Sequence, residues 1–217
     1  MRKRTWKPNP IAKRVLISNK LLRTSPIDVE AYMRDRLAYK FGITQEKAFL
    51  TGDGVAKPLG VFTASADGIS TARDVSTGNS TTAIGADGLI EAKYKIKGAY
   101  WSKLNWVFHR DALKQISKLK DGEGTYIWRL ALTASEPDTL LGSPVRMSEY
   151  APNTFTTGLY VGIVGDFSKY YIADALDMQL QRLTELYAES NKIGLIGRME
   201  TDGLPVLEEA FARVTLA

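Results

Sequence analysis

Apolar residues recur four apart at Val29, Met33, Leu37 and Phe41, which places one stripe along a helix. The start of that helix is marked in the sequence. Ser25 stands where an N-cap belongs, Pro26 at the first helical position and Asp28 at the third, a capping-box-like S-P-I-D. Gly42 offers a pause, and Gln45–Leu50 carries another turn or two, so the helix ends near Phe41 or runs on to about Leu50. At about 16 residues it spans about 24 Å. Thr51-Gly52-Asp53-Gly54 stops it, and Lys57-Pro58-Leu59-Gly60 follows. Gly52, Gly54 and Gly60 supply either positive φ or close backbone approach, and Pro58 fixes its own φ, so a tight loop with Asp53 at its start is expected.

Elsewhere the pattern alternates between strand and helix. Residues 5–22 read as extended, with Ile11, Val15, Leu16 and Ile17 interleaved with cations and Pro8 and Pro10 barring an early helix. Residues 63–86 are small and polar, either a flexible linker or a short strand around Ile69 with a loop joining two subdomains; the second is preferred. Residues 88–100 suit a helix with Ile90, Tyr94 and Lys97 on one face and Trp101 beyond. Asn105–Arg110 is a strand, and Asp111 opens a helix carrying Leu113 and Ile116 that ends at Asp121-Gly122. Gly158–Val164 suits a buried strand, and Met178–Leu186 fits strand or helix. Ile193–Met199 and Leu204–Leu207 flank Thr201-Asp202-Gly203, a hairpin signal, and Phe211–Leu216 is the last strand. Such alternation belongs to an α/β or α+β body.

Charge sharpens this picture. The net charge of +5 is not spread over the chain. Eight cations, Arg2, Lys3, Arg4, Lys7, Lys13, Arg14, Lys20 and Arg23, fall before the first acid, Asp28. The remainder holds 21 basic and 24 acidic residues, so the body is no basic DNA-binding domain. A weaker basic run covers Lys93 to Lys120. Both runs suit a solvated face, or contact with an acidic neighbouring subunit or with phosphate. There is no cysteine, which removes disulfides and thiolate chemistry and is compatible with a reducing cytoplasm. No apolar run approaches the roughly 18 residues of a membrane span, and the basic N-terminus lacks the apolar stretch of a signal peptide.

Candidate chemistry is sparse. His109 is the one histidine, too little for a zinc site, and no G-x-S-x-G elbow accompanies it, so a structural role is expected. Gly52-Asp53-Gly54 and Gly122-Glu123-Gly124 do not continue as phosphate loops. Trp101, Trp106 and Trp128 beside lysines are suited to stacking bases, but fall at positions that suit core packing. No catalytic residue, metal ligand or cofactor site is assigned, and a binding or structural role is favoured.

Six phrases in order then carry a resemblance. They are LISNKLL (Leu16–Leu22), DVEAYMRDRLAYKFG (Asp28–Gly42), EKAFLTGDGVAKPLGVF (Glu46–Phe62), LLGSPVRMSEYAP (Leu140–Pro152), VGDFSKYYIAD (Val164–Asp174) and DGLPVLEEAFARV (Asp202–Val214). The chain resembles the major capsid proteins of tailed phages, which have the Hong Kong 97 fold; encapsulin shells share that fold. The resemblance implies an α+β molecule with a peripheral domain, built on a long spine helix and a β-sheet, and an axial α/β domain. It implies a basic, extended E-loop remnant over 1–24, peripheral domain over 25–83, axial domain over 84–175 and peripheral strands over 176–217. The first part of the E-loop and the N-terminal arm are expected before such a segment, so the chain is read as a fragment, a truncated prophage gene or a chain whose first part was removed. The function implied is a head subunit that associates with itself into pentamers and hexamers of an icosahedral shell around double-stranded DNA. Scaffolding, portal or decoration proteins are implied partners, with DNA touched non-specifically at most, no membrane, assembly in the host cytoplasm and residence in the virion. An encapsulin-like compartment, or a nucleic-acid-binding domain, is the alternative.

Overall fold

The structure, a computed structural model, describes residues 5–126 and 138–217. Arg2, Lys3, Arg4 and Trp128 therefore lie outside the described residues. Two sheets organise the chain. The first has three strands in the order β1-β8-β7, with β1 at Asn9–Ser18, β7 at Tyr170–Leu183 and β8 at Lys192–Pro205, all neighbours antiparallel. The second has six strands in the order β2-β9-β6-β3-β5-β4. These are β2 (Asp74–Val75), β3 (Asn105–Phe108), β4 (Thr139–Leu140), β5 (Ser143–Met147), β6 (Tyr160–Gly165) and β9 (Phe211–Thr215). That sheet is mixed: β3 runs parallel to β5 and β2 to β9, and the other pairs are antiparallel.

The expected extended segment is strand only as far as Ser18. Ser18 Oγ accepts from Leu21 N at 3.2 Å and starts a short helix, α1 (Asn19–Thr24). The long helix, α2, spans Val29–Thr51 without a break at Gly42. Its N-cap is Asp28, whose Oδ1 accepts from Ala31 N at 3.0 Å, and not Ser25. Ser25 closes α1 instead, where its N–H donates to Leu21 O. The apolar stripe is as expected: Val29, Leu37 and Phe41 are buried and Met33 is half-buried, against Ile17 of β1 and Leu195 and Met199 of β8. Phe41 fits because position 197 is glycine; a Cβ there would meet the ring at 2.6 Å. Gly42 faces open space, with nothing within 4 Å of a notional Cβ. Gly42→Ala should therefore stabilise the protein by about 0.5–1 kcal/mol through helix propensity alone, read as a raised midpoint in urea.

The six-stranded sheet is covered on both faces, which is why its strands read as unbroken apolar runs. On one face Trp106, Phe108, Val164, Ala212 and Val214 pack beneath α3 (Ala86–Tyr94) and α4 (Arg110–Ser117). On the other, Val107, Ile163 and Phe211 meet Val61, Phe62 and Ile69 from the segment after α2. The buried face of α3 is Gly88, Leu89 and Ala92, whereas Ile90 and Tyr94 are exposed. Gly88 seats this face, because a Cβ there would lie 2.1 Å from Asn79 Oδ1; with Gly88, Leu89 and Ala92 inward, Ile90 and Tyr94 fall on the other side. α4 stops at Ser117, short of Asp121.

Thr201-Asp202-Gly203 makes no hairpin. It lies inside the continuous strand β8, paired with Asn9 of β1 on one side and with Ile172, Ala173 and Asp174 of β7 on the other. The Asp202 carboxylate is satisfied in extended backbone by Gly203 N at 2.8 Å and Lys7 N at 2.7 Å, which removes its reason to turn. Glycine is needed at 203 for space, since a Cβ would lie 2.6 Å from Tyr170 Oη. The strands after residue 175 also divide between the sheets: β8 stays in the three-stranded one, but β9 pairs with β6 in the other.

The turn from β8 to β9 is tied down electrostatically. Glu209 Oε2 accepts from Lys97 Nζ at 2.5 Å and Oε1 from Tyr100 Oη at 2.8 Å. The Lys97 hydrogen bond and then the Tyr100 hydroxyl hold the Glu209 carboxyl below its ordinary range, and Glu209 raises Lys97 in turn. A depressed carboxylate stabilises above its unfolded pKa and loses that contribution as pH falls through the folded value. The raised Lys97 loses its contribution only at alkaline pH, as pH rises through its folded value. Glu209→Gln should therefore lower the melting temperature slightly at neutral pH and flatten its fall below about pH 4.5, the ordinary glutamate value, so that variant and parent converge in acid.

Candidate functional site

The glycine loop finishes α2 by turning the chain back along it. Gly52 N donates to Ala48 O at 2.8 Å. The returning segment then supplies Gly60 N to Gly52 O at 2.9 Å, Val61 N to Phe49 O at 3.1 Å and Phe62 N to Leu50 O at 2.9 Å. The last carbonyls of a helix have no partners within it, so these donors satisfy groups that would otherwise be buried unpaired. Thr63 Oγ1 adds a 2.7 Å bond to Gly52 O.

The three glycines serve different needs. Gly54 has φ +77°, in the left-handed region. Gly52 does not: its φ and ψ of −66° and 147° are ordinary. A Cβ at Gly52 would instead sit 2.1 Å from Pro58 O and 2.5 Å from Ala48 O, and one at Gly60 would sit 2.5 Å from Leu50 O. Positive φ at 52 and 60 is thus replaced by close backbone approach as the constraint. Ala56 at φ 52° carries the second left-handed residue, which the sequence did not signal. Asp53 opens the loop, accepting from Val55 N at 3.0 Å through Oδ1 and pairing with Lys57 Nζ at 3.1 Å through Oδ2. The Val55 backbone bond, then Lys57, lower its carboxyl from the ordinary range. Pro58 and Leu59 are buried, and Leu59 N donates to Gly203 O at 2.8 Å.

Around this loop the N-terminal segment, α2 and β8 converge. Lys7, Asn9, Asp53, Gly54, Asp202 and Gly203 line part of a cleft of about 490 Å³. Tyr170 Oη donates to Leu59 O at 3.1 Å, and its ring meets Phe49 edge-on at 5.8 Å. Burial, with Asp202 adding to it, pushes the Tyr170 hydroxyl far up, so it stays protonated and keeps its proton for Leu59 O. Asp202 and Tyr170 were missed in the sequence: the first was absorbed into a turn signal, and the second fell in the phrase Val164–Asp174, to which no element was assigned.

Among the described cations of the N-terminal segment, only Lys7 reaches this junction, through its backbone. Lys13 and Arg14 lie along β1, and Lys20 and Arg23 on α1, all exposed. Residues 9–18 are thus ordered by ten paired positions with β8. Arg14 crosses the outer face of the sheet to the Tyr187 hydroxyl and ring, 5.4 Å from its centroid. The second basic run is partly used internally: Lys93 donates to Leu141 O, Lys95 to Asp74 O and Lys97 to Glu209.

His109 is buried and structural. Its Nδ1 accepts from Asp111 N at 3.2 Å as the N-cap of α4, and Nε2 faces Glu149 Oε2 at 3.3 Å. Trp106 is core, its Nε1 donating to Leu140 O at 3.1 Å. Trp101 is partly exposed, against Tyr94 and Lys93, so core packing does not hold for it. Among the described residues no three His, Asp or Glu side chains gather to hold a metal ion, and no helix is long and apolar enough to cross a membrane.

These features define an α+β protein in which a braced helix terminus joins two sheets and polar groups at the junction hold backbone. A family model described as the phage capsid family matches residues 1–216, and the chain belongs to that family. A major capsid protein of Enterobacteria phage HK97 is 29% identical over 157 residues, 72% of this chain. The match spans 39% of that relative's length. The capsid of an empty GTA particle, computed with C5 symmetry, superposes with a TM-score of 0.85 at 25% identity, over 97% of this chain and 74% of that one. The SrpI encapsulin of Synechococcus elongatus PCC 7942 superposes at 0.66 with 14% identity, over 98% of this chain and 75% of that one, which is a likeness of fold alone. The fold is the Hong Kong 97 capsid fold.

Proposed function

We propose that this chain is, or is the main part of, a major head subunit of a tailed phage or prophage that associates with copies of itself into an icosahedral shell around double-stranded DNA. The observation that carries the reading is the family match over residues 1–216, supported by a superposition on a capsid subunit over 97% of the chain. The three-stranded sheet with α2 serves as the peripheral domain. The six-stranded sheet with α3 and α4, including β9, serves as the axial domain. The chain has no catalytic role and no cofactor. It works by presenting surfaces to other copies, to scaffolding, portal or decoration proteins, and at most non-specifically to DNA. Assembly takes place in the host cytoplasm, and the product resides in the virion. The exposed cations of the N-terminal segment, Lys7, Lys13, Lys20 and Arg23 above all, contact neighbouring subunits.

The test is particle content. Peptides of this chain should dominate DNase-resistant particles sedimented from an induced lysate of the source cells. Their absence from such particles would overturn the proposal. Particles built from the chain but holding protein cargo and no DNA would turn the reading to an encapsulin-like compartment.

A further inference from the structure

Every exposed residue from 110 to 120 is a cation: Arg110, Lys114, Lys118 and Lys120. The first three are four apart, so they stand in one row along α4 and its C-cap, while Ala112 and Ile116 on the opposite face are buried in the core. The row is about 12 Å long at 1.5 Å per residue. β3 and β5 are parallel, and α4 follows β3 in the chain, so α4 runs back against both. Its C-terminal end therefore comes to the end of the sheet where β3 starts. Lys103, also exposed, stands two residues before that strand.

The row is unengaged toward that end. Arg110 lies 3.5 Å from Glu149, which also faces His109, and Lys120 lies over the Tyr126 ring, 4.8 Å from its centroid. The side chains of Lys103, Lys114 and Lys118 have no hydrogen-bond or ion-pair partner among the described residues. The nearby acids are occupied or set aside. Asp111 faces His109 Nδ1 at 3.2 Å, Asp121 Oδ1 accepts from Glu123 N and Thr125 N, and Glu123 sits in that turn beyond the helix.

The surroundings of the row select its partner. From 102 to 125 no large apolar side chain is exposed, whereas a protein interface has an apolar, aromatic-rich centre. The bordering rings are already engaged, Trp101 by Tyr94 and Lys93 and Tyr126 by Lys120, so neither is a free platform for unpaired bases. A bare cationic row suits a regular line of phosphates. Each strand of a duplex carries one phosphate per about 3.4 Å of axis, so the row spans about three or four of them.

We propose that Lys103, Lys114 and Lys118, with Arg110 at the far end, form the surface by which the chain meets the phosphate backbone of duplex DNA, without reading its sequence. The proposal rests on the head-subunit reading, which supplies the duplex, and gives that contact a place on the molecule.

Fluorescence anisotropy of a labelled duplex of about 30 base pairs, titrated with the purified chain, tests it. Three phosphate contacts should give a slope of about −3 for log K against log salt, an affinity loss of about fortyfold between about 50 and 200 mM. Lys114→Gln with Lys118→Gln should make the slope shallower by about 2 and lower the association constant at low salt about tenfold or more, with circular dichroism reporting an intact fold. Lys114→Arg with Lys118→Arg should keep both values. Lys13→Gln with Lys20→Gln, which removes the same charge from the N-terminal segment, should leave the slope unchanged, and a duplex of unrelated sequence should bind equally well. Absence of binding, a slope indifferent to the α4 pair, an equal effect from the N-terminal pair, or a marked sequence preference would each overturn the proposal. Particle content answers separately. A chain abundant in DNase-resistant particles but without this DNA affinity loses only the α4 contact, whereas absence from particles removes the capsid reading itself.

Discussion

Gly60→Val is expected to unfold the protein or to lower its stability by about 4 kcal/mol or more, beyond the range of ordinary point substitutions. The added Cβ would lie 2.5 Å from Leu50 O and 2.6 Å from Gly52 N, and both are backbone atoms that cannot step aside. Relief requires the returning segment to leave α2, which breaks the bonds from Gly60, Val61 and Phe62 to the last carbonyls of the helix. Gly52→Val should behave alike, with Pro58 O at 2.1 Å. Gly54→Ala meets only the Leu59 side chain at 3.2 Å and pays mainly for φ +77°, about 1 kcal/mol. Urea unfolding of the three variants should rank them in that order. A Gly60→Val protein as stable as the parent would refute the close-approach account of the loop.

Asp74→Ala should cost about 3–5 kcal/mol, because it strands a buried cation. Arg213 is fully buried in β9; its Nε donates to Asp74 Oδ1 at 2.6 Å, its Nη2 to Ser70 O at 2.9 Å, and its guanidinium stacks 4.5 Å from the Tyr160 ring centroid. Among the described residues Nη1 has no hydrogen-bond partner, and Asp74 is the only counter-charge among the hydrogen bonds of the guanidinium. Tyr160 Oη also donates to Asp74 Oδ2 at 3.2 Å. Replacing both charges, Asp74→Ala with Arg213→Met, should cost clearly less than the sum of the single changes, since no buried charge remains to be desolvated. Additive losses in thermal unfolding would mean that the pair is not coupled.

The contrast between α2 and β8 says what a sequence can hold. The α2 stripe was legible because its partners are large apolar residues at a regular spacing, and burial follows spacing. The start of α2 slipped by three residues because Ser25 and Asp28 are both competent caps, and the choice fell to α1, which needed Ser25 for its own end. The Asp202-Gly203 pair carried an equally good local signal for a turn. It was overruled because two strands flank it and Lys7 supplies the donor that Asp202 would otherwise seek in a turn. The α3 face was misjudged for a related reason: Gly88 and Ala92 face the core because they are small, and hydrophobic spacing does not register smallness.

The sequence by itself determined the class of fold, through six phrases in family order, the long helix, the glycine loop that stops it, and the segregation of cations to the first 23 residues. These are local or cumulative properties, written in side-chain type and spacing. Only the tertiary structure decided that Gly52 and Gly60 are required by backbone contact, that Asp202 and Tyr170 brace the loop, and that β9 crosses to the second sheet. Each depends on residues far apart in the chain, and their distance in space is set by strand register and by how α2 seats on β8. Neither is encoded in any one segment alone.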